Sequence, residues 1–82
     1  MKYLDCVEVI VEKEKYAKYG VHKGMQGWIC SEQRVPGRWL VNFPQYGEKD
    51  DIATTSILEC DMKKIPSMDA RVNERIRAQF GE

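Results

Sequence analysis

Eighty-two residues with 43% hydrophobic and 32% charged side chains support one small core and no second domain. Thirteen basic residues balance thirteen acidic ones, which argues against a protein held on nucleic acid by a cationic excess. No apolar run reaches the roughly 20 residues that span a bilayer, and Asp5 interrupts the N-terminus before a signal-peptide core can form, so a cytoplasmic protein is expected.

Val7, Val9 and Val11 alternate with Glu8 and Glu12, the period of a strand with one buried face. Ile10 breaks the alternation and leaves the other face only partly polar. Residues 12–24 are charged and tyrosine-bearing without a period, and read as a long loop of the kind that often belongs to a binding surface. Gly24 and Gly27 precede an apolar, β-prone run and suit a turn in which glycine supplies positive φ. The second strand is expected over 27–32. Pro36-Gly37 fits the centre of a type II turn. The third strand follows over 38–43, with Trp39, Val41 and Phe43 on one face and Pro44 as its stop. A polar turn over 45–50, a fourth strand over 51–55, a tight crossing over 55–58 and a fifth strand over 58–62 complete the β region. After Pro66 the period lengthens: Met68, Val72, Ile76 and Phe80 recur every four residues, the stripe of an amphipathic helix. Ser67 is its expected N-cap, Asp69 lies in its first turn, and Gly81 ends it. Glu74 and Arg77 are spaced to pair. The reading is mainly β: a five-stranded, partly open barrel over residues 1–65, then a helical region over 66–82 that packs on the barrel or on a partner.

Three stretches carry a family pattern: Asp5-Cys6-Val7, Lys23-Gly24-Met25-Gln26-Gly27 and Trp39-Leu40-Val41-Asn42-Phe43. The pattern resembles small bacterial SH3-like barrels, both KOW-type barrels and short bacterial SH3-like domains of uncharacterised function. It covers roughly residues 4–63, and the helix lies outside it. The resemblance implies a fold and a binding task rather than a reaction. Two departures stand out. SH3 domains that take proline-rich peptides carry an acidic-aromatic loop and a tryptophan pair after strand two, where this chain has Glu14-Lys15-Tyr16-Ala17-Lys18-Tyr19 and no such pair. KOW barrels tend to be basic, and this chain is neutral.

Strand parity sends Ile29, Trp39, Val41 and Phe43 inward and leaves Trp28, Leu40 and Ile10 as an outer apolar patch, the usual mark of an interface. Trp28 is its expected anchor. Either the helical stripe covers that face within one chain, or Trp28, Leu40, Val72, Ile76 and Phe80 meet another chain, as a protein partner or in a homodimer. Tyr16, Tyr19 and Tyr46 read as loop residues, and Tyr16 and Tyr19 join the partner-binding set; the alternative has such rings packed over the core with the hydroxyl in water. Lys13, Lys15, Lys18 and Lys23 crowd one segment and form a candidate nucleic-acid surface, although Glu12 and Glu14 interleave with them.

No catalytic residue, metal site or cofactor is expected. A nucleophile needs a neighbouring base, and His22 is the only histidine. Asp50-Asp51 reads as a solvated turn, and there is no P-loop or dinucleotide fingerprint. Cys6, Cys30 and Cys60 lack zinc-knuckle spacing and are expected reduced and packed as small apolar groups. The functional expectation is a non-catalytic protein-interaction module, a small regulatory or immunity-type protein of a bacterial cytoplasm. A KOW-like RNA- or DNA-contacting module is the alternative, with a homo-oligomeric structural subunit as a third reading.

Overall fold

The computed structural model describes residues 1–47 and 50–81. Strands β1 (Cys6–Val9), β2 (Gln26–Ile29), β3 (Arg38–Phe43), β4 (Ala53–Leu58) and β5 (Met62–Ile65) form one antiparallel sheet in the order β4-β3-β2-β1-β5. Helix α1 (Glu14–Ala17) lies between β1 and β2, a 3-10 turn (Glu59–Asp61) between β4 and β5, and helix α2 (Ala70–Gln79) follows β5. The protein is thus mainly β with a C-terminal helix, and the sheet is not closed.

The sheet is strongly curled. β4 and β5 are its two edges, yet only the 3-10 turn separates them along the chain. Four interstrand gaps measure about 19 Å when flat, whereas the step from Leu58 to Met62 through such a turn covers about 8 Å. The two edges therefore converge at that corner. Alternation fixes which side faces in: Val7 and Val9 of β1, Ile29 of β2, Val41 and Phe43 of β3, and Ile57 of β4 are all buried. Trp39 completes the row at 7% exposure and donates its indole N–H to Glu59 Oε1 at 2.7 Å. The inward parity expected for Ile29, Trp39, Val41 and Phe43 matches these positions.

Several boundaries differ from those expected. Residues 12–24 are not one loop: they contain α1, and Tyr16 and Val21 from this segment enter the core together with Met25. The fourth strand runs on to Leu58, the crossing lies at Glu59–Asp61, and the fifth strand starts at Met62. Short apolar segments such as Ile57-Leu58 fit a strand or a crossing equally well, and the pairing with β3, Arg38↔Leu58 through Phe43↔Ala53, decides between them. The turn drawn over 45–50 includes residues 48–49, outside the described residues. Pro36 and Gly37 do sit inside a turn closed by Arg38 N to Val35 O at 3.1 Å, with Gly37 at φ +78.

Gly24 before β2 and Gly27 within it serve different purposes. Gly24 takes φ +90, as a turn residue should. Gly27 is a strand residue whose Cβ would stand 2.3 Å from the Asn42 carbonyl oxygen. Space, not positive φ, demands glycine there.

Helix α2 is held by one residue outside its apolar stripe. In the β2–β3 register, set by Trp28↔Asn42 and Ile29↔Val41, the next partner for Gln26 is Pro44, which has no N–H to give. The Asn73 carboxamide fills this break. Its Oδ1 accepts from Gln26 N at 2.7 Å, and its Nδ2 donates to Gln26 O at 2.7 Å and Pro44 O at 3.0 Å. Asn73 is fully buried. Beside it Ile76 packs on the core, Gln26 Oε1 accepts from Asp69 N at 2.9 Å, and Arg77 donates to Gln45 Oε1 at 2.7 Å. Asp69, not Ser67, caps the helix, accepting from Arg71 N at 2.9 Å. Phe80 ends it, stacked on the His22 ring with centroids 3.6 Å apart.

Candidate functional site

Asp61 organises the corner where the sheet edges converge. It is buried, and its Oδ2 accepts from Lys13 Nζ at 2.8 Å and from the Tyr16 hydroxyl at 2.6 Å. Tyr16 Oη in turn accepts from Leu58 N at 3.1 Å. Burial pushes the Asp61 carboxyl up, but hydrogen bonds from Lys13 and Tyr16 outweigh it and hold the group below its ordinary value. Burial, and then the carboxylate itself, drive the Tyr16 phenol up to about 12. This cluster seats α1 against the end of β4.

With α1 so placed, Lys15, Lys18 and Tyr19 project beside β4. Together with Tyr16, Arg38, Thr55, Ser56 and Leu58 they line a depression of about 180 Å³, and among the described residues its charged groups are all cations. Lys18 lies over the Tyr19 ring at 5.2 Å, a contact that extends the ammonium over an aromatic face. A second depression, about 260 Å³, adjoins the first and shares Arg38 and Ser56 with it. Ser31, Glu32, Arg34, Val35, Trp39 and Leu40 complete its lining. Val35 and Leu40 are exposed. The composite surface is therefore cationic at one end, while the other end sets exposed Val35 and Leu40 beside Glu32 and Arg34. Among the described residues, Lys15, Lys18, Arg34 and Arg38 form no ion pair.

The structure brings together only part of the sequence-derived set. Leu40 and Tyr19 lie on this surface, with Lys15 and Lys18 beside them. Tyr16 is no loop residue: it is buried, at 3% exposure, with its hydroxyl bonded to Asp61 and Leu58 rather than in water. Trp28 is half-buried, opposite Cys6 on β1 and Asn42 on β3. Ile10 shares its face but lies four residues beyond Cys6, about 13 Å along the strand, so the three-membered patch of Trp28, Leu40 and Ile10 does not assemble. Val72 and Ile76 are half-buried, and exposed Phe80 rests on His22.

The four lysines also diverge. Lys13 is spent on Asp61, and Lys23 lies outside the depression, its backbone N–H donating to Glu12 Oε1 at 2.8 Å. Glu12 also meets His22 Nδ1 at 2.7 Å. Burial raises the Glu12 carboxyl, and the bonds from His22 and Lys23 more than reverse it, leaving it below the ordinary value. Arg34, Val35, Arg38 and Ser56 belong to the surface and escaped the sequence reading. The one signal for Arg38 was its place at the head of the third strand, next to Trp39.

The cysteines are free thiols. Cys6 and Cys30 are half-buried, with burial raising the Cys30 thiol, whereas Cys60 is exposed and so is not packed as an apolar group. Among the described residues no three His, Cys, Asp or Glu side chains gather as a metal site, and no helix is long and apolar enough to cross a membrane. Comparison with protein-family models, with curated proteins and with solved structures finds no match to this chain.

Proposed function

We propose that this chain is a non-catalytic protein-interaction module, built on an SH3-like, partly open barrel, that takes a partner on the β3–β4 surface. One observation carries this reading: the exposed apolar end at Val35 and Leu40 is continuous, through Arg38 and Ser56, with a cationic end at Lys15 and Lys18. An apolar anchor beside unpaired charge is the arrangement of an interface core with its polar rim. The barrel part rests on the strand order and on the short turn that joins the two sheet edges. A small regulatory or immunity-type protein of a bacterial cytoplasm fits this design. The Asn73 anchor makes the helix part of the module's own scaffold.

A nucleic-acid reading has the Lys15, Lys18 and Arg38 cluster in its favour. Against it stands a net charge of zero and the loss of Lys13 to Asp61. The test is capture from native lysate with the tagged chain and its Leu40→Asp variant, each with and without nuclease. The expected result is one stoichiometric protein that survives nuclease and is lost with Leu40→Asp. Equal recovery by both forms, or recovery that depends on nucleic acid, overturns the proposal.

A further inference from the structure

The two edges of the sheet are protected unequally. β5 carries Lys63 and Lys64, which reach Glu8 at 3.5 Å and Asp5 at 3.7 Å, and such charges blunt an edge. β4, Ala53–Leu58, has neither a charge nor a proline in its six residues. Its hydrogen-bonding parity follows from Glu59 N to Gly37 O at 2.8 Å and the register Arg38↔Leu58. In an antiparallel ladder bonded pairs alternate with non-bonded ones. Ile57, Thr55 and Ala53 therefore bond to β3, while Leu58, Ser56 and Thr54 turn their main chain to the free edge. Tyr16 Oη satisfies the Leu58 N–H. Among the described residues no strand pairs with the remainder of this edge, and both Thr54 and Ser56 are exposed.

We infer that the occupant of the proposed surface is an extended acidic peptide segment of a partner protein, added to the sheet as a strand along β4. The inference rests on the interaction-module reading and names its ligand. The N–H and C=O groups of Thr54 and Ser56 offer about four ladder hydrogen bonds, the main-chain part of strand addition. Charge supplies direction. Among the described residues, the depression at the Leu58 end contains Lys15, Lys18 and Arg38 and no acid, so carboxylates belong at that end of the incoming strand. Ser56 belongs to both depressions, so a strand along the edge passes the cationic end and reaches toward Leu40.

The test is selection from a random 12-residue display library on the whole chain, followed by nuclear magnetic resonance of the chain with one selected peptide. Enriched sequences are expected to carry two or more Asp or Glu residues at one end of a proline-free, β-prone run. At saturation the Thr54 and Ser56 amides should exchange at least about tenfold more slowly, as buried ladder donors do. The double variant Lys15→Glu, Lys18→Glu should weaken the peptide about tenfold and flatten its salt dependence. Ser56→Pro removes an edge-facing donor without touching a β3 bond; if it does not fold, the lysine variant and the exchange data still decide. Failure to enrich acidic peptides, or unprotected Thr54 and Ser56 amides in the complex, overturns the inference. A selected peptide that is lost with Leu40→Asp yet leaves those amides unprotected refutes strand addition while leaving the interaction module standing. Displacement of the peptide by a single-stranded oligonucleotide that binds more tightly assigns the site to nucleic acid instead.

Discussion

Asn73→Ala is the substitution with the largest expected effect on how the helix is held. It removes a carboxamide that makes three hydrogen bonds, at 2.7, 2.7 and 3.0 Å, in a fully buried position. Three main-chain groups lose their partner: the Gln26 N–H, the Gln26 carbonyl and the Pro44 carbonyl. Each unsatisfied buried group costs about 1–3 kcal/mol, and the space vacated on going from Asn to Ala admits roughly one water, which recovers part of this. The net loss is about 3 kcal/mol. An 82-residue domain has roughly 4–12 kcal/mol in total, so the variant should remain folded but with Tm lower by about 12–24 °C. Urea unfolding followed by tryptophan fluorescence, with far-ultraviolet circular dichroism for the helix, measures it. Asn73→Asp keeps the acceptor but turns a carboxylate toward two carbonyls, so it should be at least as damaging near neutrality and partly relieved on acidification. A loss below about 1 kcal/mol for Asn73→Ala would refute the view that this side chain takes the place of the missing Pro44 donor.

Gly27→Ala places a Cβ 2.3 Å from a backbone oxygen on the neighbouring strand; neither strand can yield cheaply, so a loss above about 3 kcal/mol or insoluble expression is expected. Tyr16 should be the phenol that resists ionisation until about pH 12, and Tyr16→Phe should delete that last step from an absorbance titration. Because folding raises this pKa, its contribution is whole below the ordinary value of 10.0 and is lost as pH climbs through about 12. Asp61 works in the opposite sense: folding lowers its pKa, so its contribution is whole above 3.8 and is lost as pH falls through the depressed folded value. The urea midpoint of the native chain should therefore fall on acidification below about pH 4, and less steeply in Asp61→Asn; equal slopes would show that the corner cluster is not what acid attacks.

Local chemistry alone determined much of this protein. Alternation placed Val7, Val9, Trp39, Val41 and Phe43 on the inner face, because period two in a strand leaves no other way to bury them. Pro36-Gly37 dictated its turn through the φ each residue prefers. The four-residue stripe after Pro66 marked a helix and included Ile76, which does reach the core. Roles set by contacts between distant segments were not legible. A lone asparagine between Val72 and Glu74 reads as a solvated helix residue until the register shows that Pro44 lacks the donor Gln26 requires. Tyr16 reads as a loop ring until Asp61, 45 residues away, accepts a hydrogen bond from its hydroxyl. Leu40 on the candidate surface followed from parity, and Lys15 and Lys18 were noticed as charge, but their union with Arg38 and Ser56 depended on α1 being pinned at the Asp61 corner. Periodicity reports which way a side chain faces along its own element, whereas the neighbour it meets is decided by strand pairing and by the curl that brings β4 round to β5.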